Sequence, residues 1–332
     1  MRIAIQPDDY GPNDASSPIW SRLLVDAGFE VDHVDVYGAE ILQQLVGCHG
    51  FMWRHGHAPH MRQIARRLLP VIENELNLEV YPNQRTCWHY DDKIAQSYLL
   101  PAVGVPIPHT WIWYDKSKAI DFAYKANYPL VLKLFSGAGS TNVKLVSSFT
   151  ESCKWIEQRF SVGVTSLDDE QFSYSCRIKN AISTIRYGGI LINKELHKNY
   201  VLFQEFIPDN SYDTRVTVIG NRAFAYRRFN RPNDFRASGS GNFDVDPAKI
   251  DLHTVKLAFD VTKRLNVSSI AIDMLKSNRS PLVGEISYTY VSWMVHACPG
   301  HWDKDLTWHE GQIWPEEAQV EDFIARLKAR FT

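Results

Sequence analysis

The chain has 332 residues, enough for two or three packed domains, and its 45% apolar and 22% charged residues are those of an ordinary globular protein. No stretch has the uninterrupted apolar length of a membrane span, and a formal charge of −2 lacks the basic excess that a nucleic acid backbone requires, so neither membrane nor nucleic acid is an expected partner. Five widely spaced cysteines, Cys48, Cys87, Cys153, Cys176 and Cys298, contain no Cys-x-x-Cys pair and read as the reduced thiols of a cytoplasmic protein.

The opening Met1-Arg2-Ile3-Ala4-Ile5 runs at once into Gln6-Pro7-Asp8-Asp9, which reads as a first strand (residues 2–6) and leaves no room for a targeting peptide. A helix near 18–27, strands at 30–36 and 50–53, a helix with apolar Ile64, Leu68, Leu69 and Ile72, and a strand at 78–81 follow. Strands alternating with helices predict a doubly wound parallel sheet whose ligands gather beyond the carboxyl ends of the strands. Arg54, His55 and His57 stand at such an end and are candidate substrate contacts, Arg54 suited to a carboxylate. His49, His55, His57 and His60 lack a zinc spacing, so a structural or hydrogen-bonding role is expected of them. Ser16 and Ser17 are expected to cap the first helix, with substrate contact by them and by Asp8 and Asp9 as the alternative.

From residue 91 the pattern changes. Asp91 is placed to cap a helix through residue 100, before Pro101, Pro106 and Pro108. Residues 128–133 form an apolar strand ending at Lys133 and entering the loop Gly137-Ala138-Gly139-Ser140, and 143–146 return as the second arm of a hairpin. Residues 161–199 are polar, with a helix expected within 170–187, and read as an insertion or a cover. A strand at 200–207 precedes an antiparallel pair, 214–219 and 223–228, joined at Gly220-Asn221. A helix at 247–265, strands at 269–275 and 281–287, and an amphipathic helix at 315–331 with Val320, Phe323, Ile324 and Leu327 on one face complete the chain. The aromatic clusters at 111–114 and 293–314, which hold many of the ten tryptophans, read as core or domain-contact residues.

A lysine at a strand end beside a glycine-rich loop suits phosphate, because the cation neutralises charge while unobstructed amides approach its oxygens; the sequence has no Walker pattern. Lys93, in the first turn of its helix, is a second candidate. Asp273 and Glu285 lie inside otherwise apolar strands, where an unpaired charge is costly; adjacent strands would bring them together as magnesium ligands, with salt-bridged acids as the alternative. Arg215, Arg222, Arg227, Arg228, Arg231 and Arg236 form a run of cations suited to phosphate or carboxylate, and alternation sends Arg227 and Arg228 to opposite faces.

Tyr81-Pro82-Asn83 before Asp92-Lys93, then Pro129 to Lys133 with its glycine loop, Gln204-Glu205-Phe206-Ile207, Asp213-Thr214-Arg215, Arg228, Arg236, Asp273 and Glu285-Ile286-Ser287 together resemble the ATP-grasp superfamily, in particular its glutathione synthetase-like carboxylate–amine ligases. The resemblance implies an α/β and α+β architecture: an N-terminal doubly wound substrate domain (1–90), a central ATP-grasp subdomain with the glycine loop and insertion (91–200), and a C-terminal subdomain with the metal site (201–332), the last two clasping ATP. It implies phosphate contacts from Lys93, Lys133, Gly137, Gly139 and Ser140, an adenine-reading hinge at Gln204, Glu205 and Ile207, and ribose binding by Asp213. Arg215, Arg228 and Arg236 would be the catalytic cations, and Asp273, Glu285 and Ser287 would hold Mg2+, or Mn2+ in its place. Ser287 departs from the asparagine common in the family, which puts the second metal position in question. The activity implied is amide formation through an acyl phosphate, from a small-molecule carboxylate, such as an amino acid or sugar acid, and an amine. An ATP-grasp small-molecule kinase and a non-catalytic ATP-binding protein are the alternatives, and a homo-oligomer stays open.

Overall fold

Strands β1 (Arg2–Ile5), β2 (Glu30–His33), β3 (Gly50–Met52) and β4 (Glu79–Tyr81) pair in parallel in the order β2-β1-β3-β4, the arrangement the alternation predicts. Their connections carry helices α1 (Ser17–Asp26), α2 (Ile41–Gln44) and α3 (Pro59–Pro70), and α4 (Gln84–Cys87) follows β4. The near-continuous apolar character of β1 and β3 follows from cover on both faces. Ile3, Ile5 and Met52 pack with Trp20, Leu24, Phe323 and Leu327, whereas Ala4 and Phe51 pack with Ala65, Leu69 and Ile72. The computed structural model describes residues 1–8, 15–137, 139, 142–167, 195–278 and 280–331; the helix expected within 170–187, and Asp9, Ala138, Ser140 and Cys176, lie outside the described residues.

The start of α1 corrects the capping expectation. Neither serine hydroxyl caps the helix; the Asp8 carboxylate instead accepts from the backbone N–H groups of Ser16 (2.7 Å) and Ser17 (3.2 Å), so an acid outside the helix satisfies its first donors. This leaves the Ser16 hydroxyl to donate to Glu316 at 3.0 Å.

Helices α5 (Lys93–Ala102), α6 (Lys116–Lys125) and α7 (Phe149–Phe160) accompany an antiparallel sheet of β5 (Thr110–Trp113), β6 (Leu130–Lys133), β7 (Val143–Val146) and β8 (Val201–Glu205), ordered β5-β8-β6-β7. Ala119 and Ala123 of α6 and Trp155 and Ile156 of α7 pack with Leu130, Leu132, Val201 and Phe203 of the sheet. The cap of α5 is Asp92, whose carboxylate accepts from the Ala95 N–H at 3.0 Å, and not Asp91, which takes a left-handed φ of 49° and turns to another task.

The third sheet is antiparallel: β9 (Tyr212–Ile219), β10 (Arg222–Phe229), β12 (Ser269–Leu275), β13 (Leu282–Ser287), β14 (Gly300–Trp302) and β15 (Trp308–Glu310) in the order β13-β12-β9-β10-β14-β15, with β11 (Phe243–Asp244) also on β10. Helix α8 (Leu252–Leu265) starts later than the sequence suggests, because Asp251 caps it at the His253 N–H (2.9 Å) and Pro247–Lys249 forms a separate 3-10 turn. After α9 (Ser292–His296), the final helix α10 (Pro315–Phe331) lays the predicted Val320–Phe323–Leu327 face on the N-terminal parallel sheet. The chain divides into two compact units, Met1–Tyr90 with Val103–Val105 and Asn210–Thr332, and Asp91–Ala102 with Pro106–Asp209. Among the described residues no helix is long and apolar enough to cross a membrane.

Candidate active site

In the unit that holds Asp91, β6 delivers Lys133 to the root of the glycine loop, where Gly137 takes a φ of 129° and Gly139 a φ of 63°, conformations that favour glycine. A Cβ at Gly137 would stand 2.6 Å from the Asn142 side-chain nitrogen, which itself donates to the Ser136 carbonyl, so the turn is closed by its own side chains. Asp91, just ahead of α5, and Lys93, its first residue, grip this turn. The Gly137 N–H donates to Asp91 at 2.8 Å, Lys93 Nζ donates to the Gly137 carbonyl at 2.9 Å, and the Lys93 N–H donates to the Phe135 carbonyl at 2.7 Å. The structure therefore brings Lys93 to the loop that Lys133 enters. Gln204 is buried within β8 and donates to Thr110 at 2.9 Å, Glu205 is the strand's last residue and exposed, and Ile207 lies just beyond it.

In the other unit, the two acids singled out in apolar strands are direct cross-strand partners: Asp273 of β12 stands opposite Glu285 of β13 in the register. Asp273 also stands opposite Arg215 of β9, and Asp213 opposite Arg228 of β10. Arg215 donates Nε and Nη2 to the two Asp273 oxygens (2.6 and 2.8 Å), Arg228 donates Nε and Nη2 to the two Asp213 oxygens (2.8 and 2.5 Å), and Arg228 Nη2 also reaches Asp273 at 2.7 Å. The four side chains are between 6% and 15% exposed, so their charges meet in a largely dry environment. Burial works against ionising Asp273, but the two guanidiniums prevail and hold its carboxyl well below the usual range. For Asp213 burial wins, with the neighbouring Asp273 charge adding to it, and its carboxyl is pushed up despite Arg228. Arg215 and Arg228 are raised further into their charged form by the same acids, against their burial.

Arg227 points away from this cluster, as alternation requires: it pairs with Asp244 and lies over Tyr212 (4.9 Å to the ring centroid). Arg236 is clasped by Asp234 of its own loop at 2.7 to 3.0 Å rather than joining the four-residue cluster. The Ser287 hydroxyl donates to the Thr289 carbonyl (2.8 Å), accepts from the Thr289 N–H (3.2 Å) and lies 3.3 Å from the Thr289 hydroxyl, which competes for its remaining lone pair. That turn carries the chain from β13 to the end of β3. Tyr288 donates its hydroxyl to the His55 carbonyl, Tyr90 meets Thr289 at 2.9 Å, and Arg54 Nη2 lies 3.4 Å from the Tyr290 carbonyl. The sequence placed Arg54 at a strand end, and the structure sets it, 8% exposed, beside the segment that follows Glu285 and Ser287. His55 is packed among the rings of Trp53, Tyr90 and Tyr288, and its imidazole is pushed down to about 3 by burial; His57 packs on Tyr90. Among the described residues no cluster of three or more His, Cys, Asp or Glu forms a metal cage.

A parallel N-terminal sheet, a lysine-and-glycine hairpin domain and an antiparallel sheet with opposed acids are the parts of an ATP-grasp fold. Residues 178–292 match the RimK-like ATP-grasp domain family. The chain is similar to alpha-aminoadipate–LysW ligase LysX of Saccharolobus solfataricus, 25% identical over 218 residues, which are 65% of this chain and 68% of that protein. It is similar to a probable alpha-L-glutamate ligase of Coxiella burnetii, 34% identical over 179 residues, 52% of this chain and 54% of that one. The chain thus spans about two thirds of the first relative and about half the length of the second. Among solved structures, a RimK domain ATP-grasp protein from Sphaerobacter thermophilus shares the fold with a TM-score of 0.54 at 16% identity, covering 98% of this chain and 100% of that one. D-alanine–D-alanine ligase from Bacillus anthracis does so with a TM-score of 0.57 at 14% identity, covering 100% and 99%. Residues 178–292 thus match an ATP-grasp domain, and the chain shares the ATP-grasp fold with these solved structures.

Proposed function

We propose that the protein joins a carboxylate to an amine at the expense of ATP, through an acyl phosphate. The observation that carries this reading is the pair Asp273–Glu285, opposed across two strands, with Asp273 held ionised by Arg215 and Arg228. A metal ligand must be deprotonated, and two carboxylates suit magnesium, which draws its remaining oxygens from phosphate and water, so the residues present fit the ion. Magnesium, or manganese in its place, supplies charge neutralisation on the phosphate oxygens when bound. Ser287, tied into its own turn, is the weakest of the three expected ligands.

The chain's own groups account for the rest. Lys93 and Lys133, with the amides of Gly139 and Ser140, are assigned to the phosphates, Gly137 joining them only if its N–H leaves Asp91, and the backbone at Gln204, Glu205 and Ile207 is assigned to the adenine edge. Asp213 is assigned to ribose, for which a carboxylate already paired with Arg228 keeps lone pairs. Arg215 and Arg228 commit Nε and Nη2 to the acids and keep the donors of Nη1, which can absorb charge as a carboxylate oxygen attacks the γ-phosphorus and ADP leaves. The amine then attacks the acyl carbon, loses a proton and expels phosphate. Arg236 would join this set only by leaving Asp234. Arg54, His55 and His57 are assigned to the organic substrate, in the sense that Arg54 binds and the histidines shape its surroundings. Functionally we divide the chain into a substrate domain (1–90), a phosphate domain (91–200) and a metal domain (201–332).

The substrates are sought among amino acids, peptides and sugar acids; the relatives named above act, by their names, on alpha-aminoadipate with LysW and on glutamate. The experiment is a screen of carboxylate and amine pairs for ADP release, with mass detection of the joined product. Phosphate release that requires both substrates supports the ligase. ADP formation with a phosphorylated product and no need for an amine replaces it with a kinase, and nucleotide binding without turnover on any pair replaces it with a binding protein.

A further inference from the structure

Behind the glycine loop runs a buried polar chain that none of the roles above uses. The Phe135 N–H donates to the Tyr200 hydroxyl at 3.0 Å, and that hydroxyl meets His197 Nδ1 at 2.9 Å. His197 Nε2 lies 3.4 Å from the Ser136 hydroxyl, which donates to Glu195 at 2.9 Å. Tyr200, His197 and Ser136 are 5%, 1% and 6% exposed. With His197 in the tautomer protonated at Nε2, the Tyr200 hydroxyl, which accepts from the Phe135 amide, donates to Nδ1, Nε2 donates toward Ser136, and the Ser136 proton goes to the carboxylate.

Arg159 of α7 anchors this chain from behind. Its Nε donates to the Tyr200 carbonyl at 3.1 Å and its guanidinium lies 4.0 Å from the Tyr200 ring centroid, while its Nη1 and Nη2 have no hydrogen-bond partner among the described residues. A fully buried arginine left partly unsatisfied costs stability, which calls for a reason other than the arginine's own bonding. The reason offered by the geometry is the placement of Tyr200. At the far end the same peptide is held from the other side, since the Phe135 carbonyl accepts from the Lys93 N–H at 2.7 Å. Phe135 therefore has both backbone polar groups committed, one to Tyr200 and one to Lys93, immediately before the turn at Gly137.

We propose that Tyr200 and His197 are positioning residues for the phosphate loop, fixing the Phe135–Ser136 peptide so that the glycine amides and Lys93 present themselves to a nucleotide in one arrangement. The proposal rests on the assignment of that loop to phosphate. It differs from a purely structural role in what it moves: nucleotide affinity and loop exchange, with the fold and the organic substrates untouched.

The test uses the full chain and a non-hydrolysable ATP analogue with magnesium, bound calorimetrically. Tyr200→Phe removes one hydroxyl and no ring, and should weaken analogue binding about three- to tenfold, the range of one lost hydrogen bond. It should also speed amide exchange of the loop peptide around Phe135, with the fold retained, a melting temperature lowered by no more than the few degrees that one lost buried hydrogen bond costs, and an unchanged KM for the organic substrates. Ser136→Ala, which breaks the chain at its other end, gives the same readout if Tyr200→Phe does not fold. His197→Gln, able to donate toward Ser136, should bind more tightly than His197→Ala. Lys133→Ala serves as the control for the loop itself. If it weakens binding while Tyr200→Phe and Ser136→Ala bind like the parent, the positioning role is overturned. Should Lys133→Ala also bind like the parent, the loop does not take the phosphates and the proposal falls with that assignment.

Discussion

Replacing Asp273 by Asn should cost stability as well as turnover, because the carboxylate is the common acceptor for three charged donor contacts at 2.6 to 2.8 Å. The amide offers one acceptor oxygen and turns an NH2 toward a guanidinium, leaving Arg215 without its carboxylate and Arg228 with Asp213 alone. Breaking a buried ion pair from one side costs about 3–5 kcal/mol. With Asp273 15% exposed and one acceptor retained, the lower end, about 3 kcal/mol, is expected. For a unit of this size that corresponds to a melting temperature lower by roughly 6–12 °C. The assay is a thermal melt in chelator, so that no metal contributes, beside ADP release with the identified substrates. Removing the opposing charge as well, in Arg215→Met/Asp273→Asn, should recover at least about 1 kcal/mol, since contacting residues couple on this scale. A single variant that melts within about 2 °C of the parent, or a double variant with purely additive loss, would refute the view that this cluster is a mutually dependent ion network.

Glu285→Gln should abolish turnover and weaken Mn2+ binding followed by electron paramagnetic resonance; full metal affinity in the variant would remove Glu285 from the ligand set. Stability should fall with acid in a window set by two buried histidines. Burial pushes His55 down to about 3 and His89 to about 4, whereas both take up a proton near 6.5 when unfolded, so the unfolded chain binds more protons across that interval. The free energy of unfolding should therefore drop by up to about 1.4 kcal/mol per pH unit per histidine as pH falls from about 6.5 toward 4, above the range where Asp273 contributes. Urea titrations at several pH values read this slope, and a flat profile between pH 6.5 and 5 would mean that the imidazoles are not held neutral. Arg54→Ala should raise KM for one organic substrate and leave that for ATP nearly unchanged. A loss confined to ATP affinity would move the specificity residues elsewhere.

Much of the fold could be read from the sequence because the strands carry their environment in their composition. β1 and β3 are apolar on both faces since α1 and α10 cover one side of the sheet and α3 the other, and that double cover leaves no alternation to mislead. The opposed acids were visible for the same reason: Asp273 and Glu285 interrupt strands that otherwise bury Ile272, Met274, Val283 and Ile286. What escaped was short or long-range. β14 and β15 have three residues each, too few to show a period, and their tryptophans read only as core or domain-contact residues. The choice of Asp92 over Asp91 as cap turned on the left-handed φ at Asp91, which is set by the Gly137 N–H 46 positions away. The Tyr200–His197–Ser136 chain likewise joins positions 61 to 65 residues apart, with no local signature.

The arginine cluster lies between these cases, and it shows how far local rules reach. A two-residue turn at Gly220-Asn221 sets Ile219 opposite Arg222, and counting outward along an antiparallel pair then sets Asp213 opposite Arg228. Asp213 and Arg215, two apart on β9, share a face. The turn alone therefore implies an Asp213–Arg228 pair with Arg215 beside it, and this half of the cluster was within reach of the sequence. The other half was not, because nothing local specifies that β12 lies against β9 in the register that puts Asp273 opposite Arg215. That non-local step changes the chemistry. With Asp213 alone, Arg228 would be a paired and inert cation. Once Asp273 enters, two arginines and two aspartates balance in formal charge, and Glu285, opposite Asp273, adds a negative charge beyond them. A cation held by the two opposed acids would therefore meet a set of five side chains with one net negative formal charge, in which Asp273 is shared with Arg215 and Arg228, the groups assigned to the transferring phosphate.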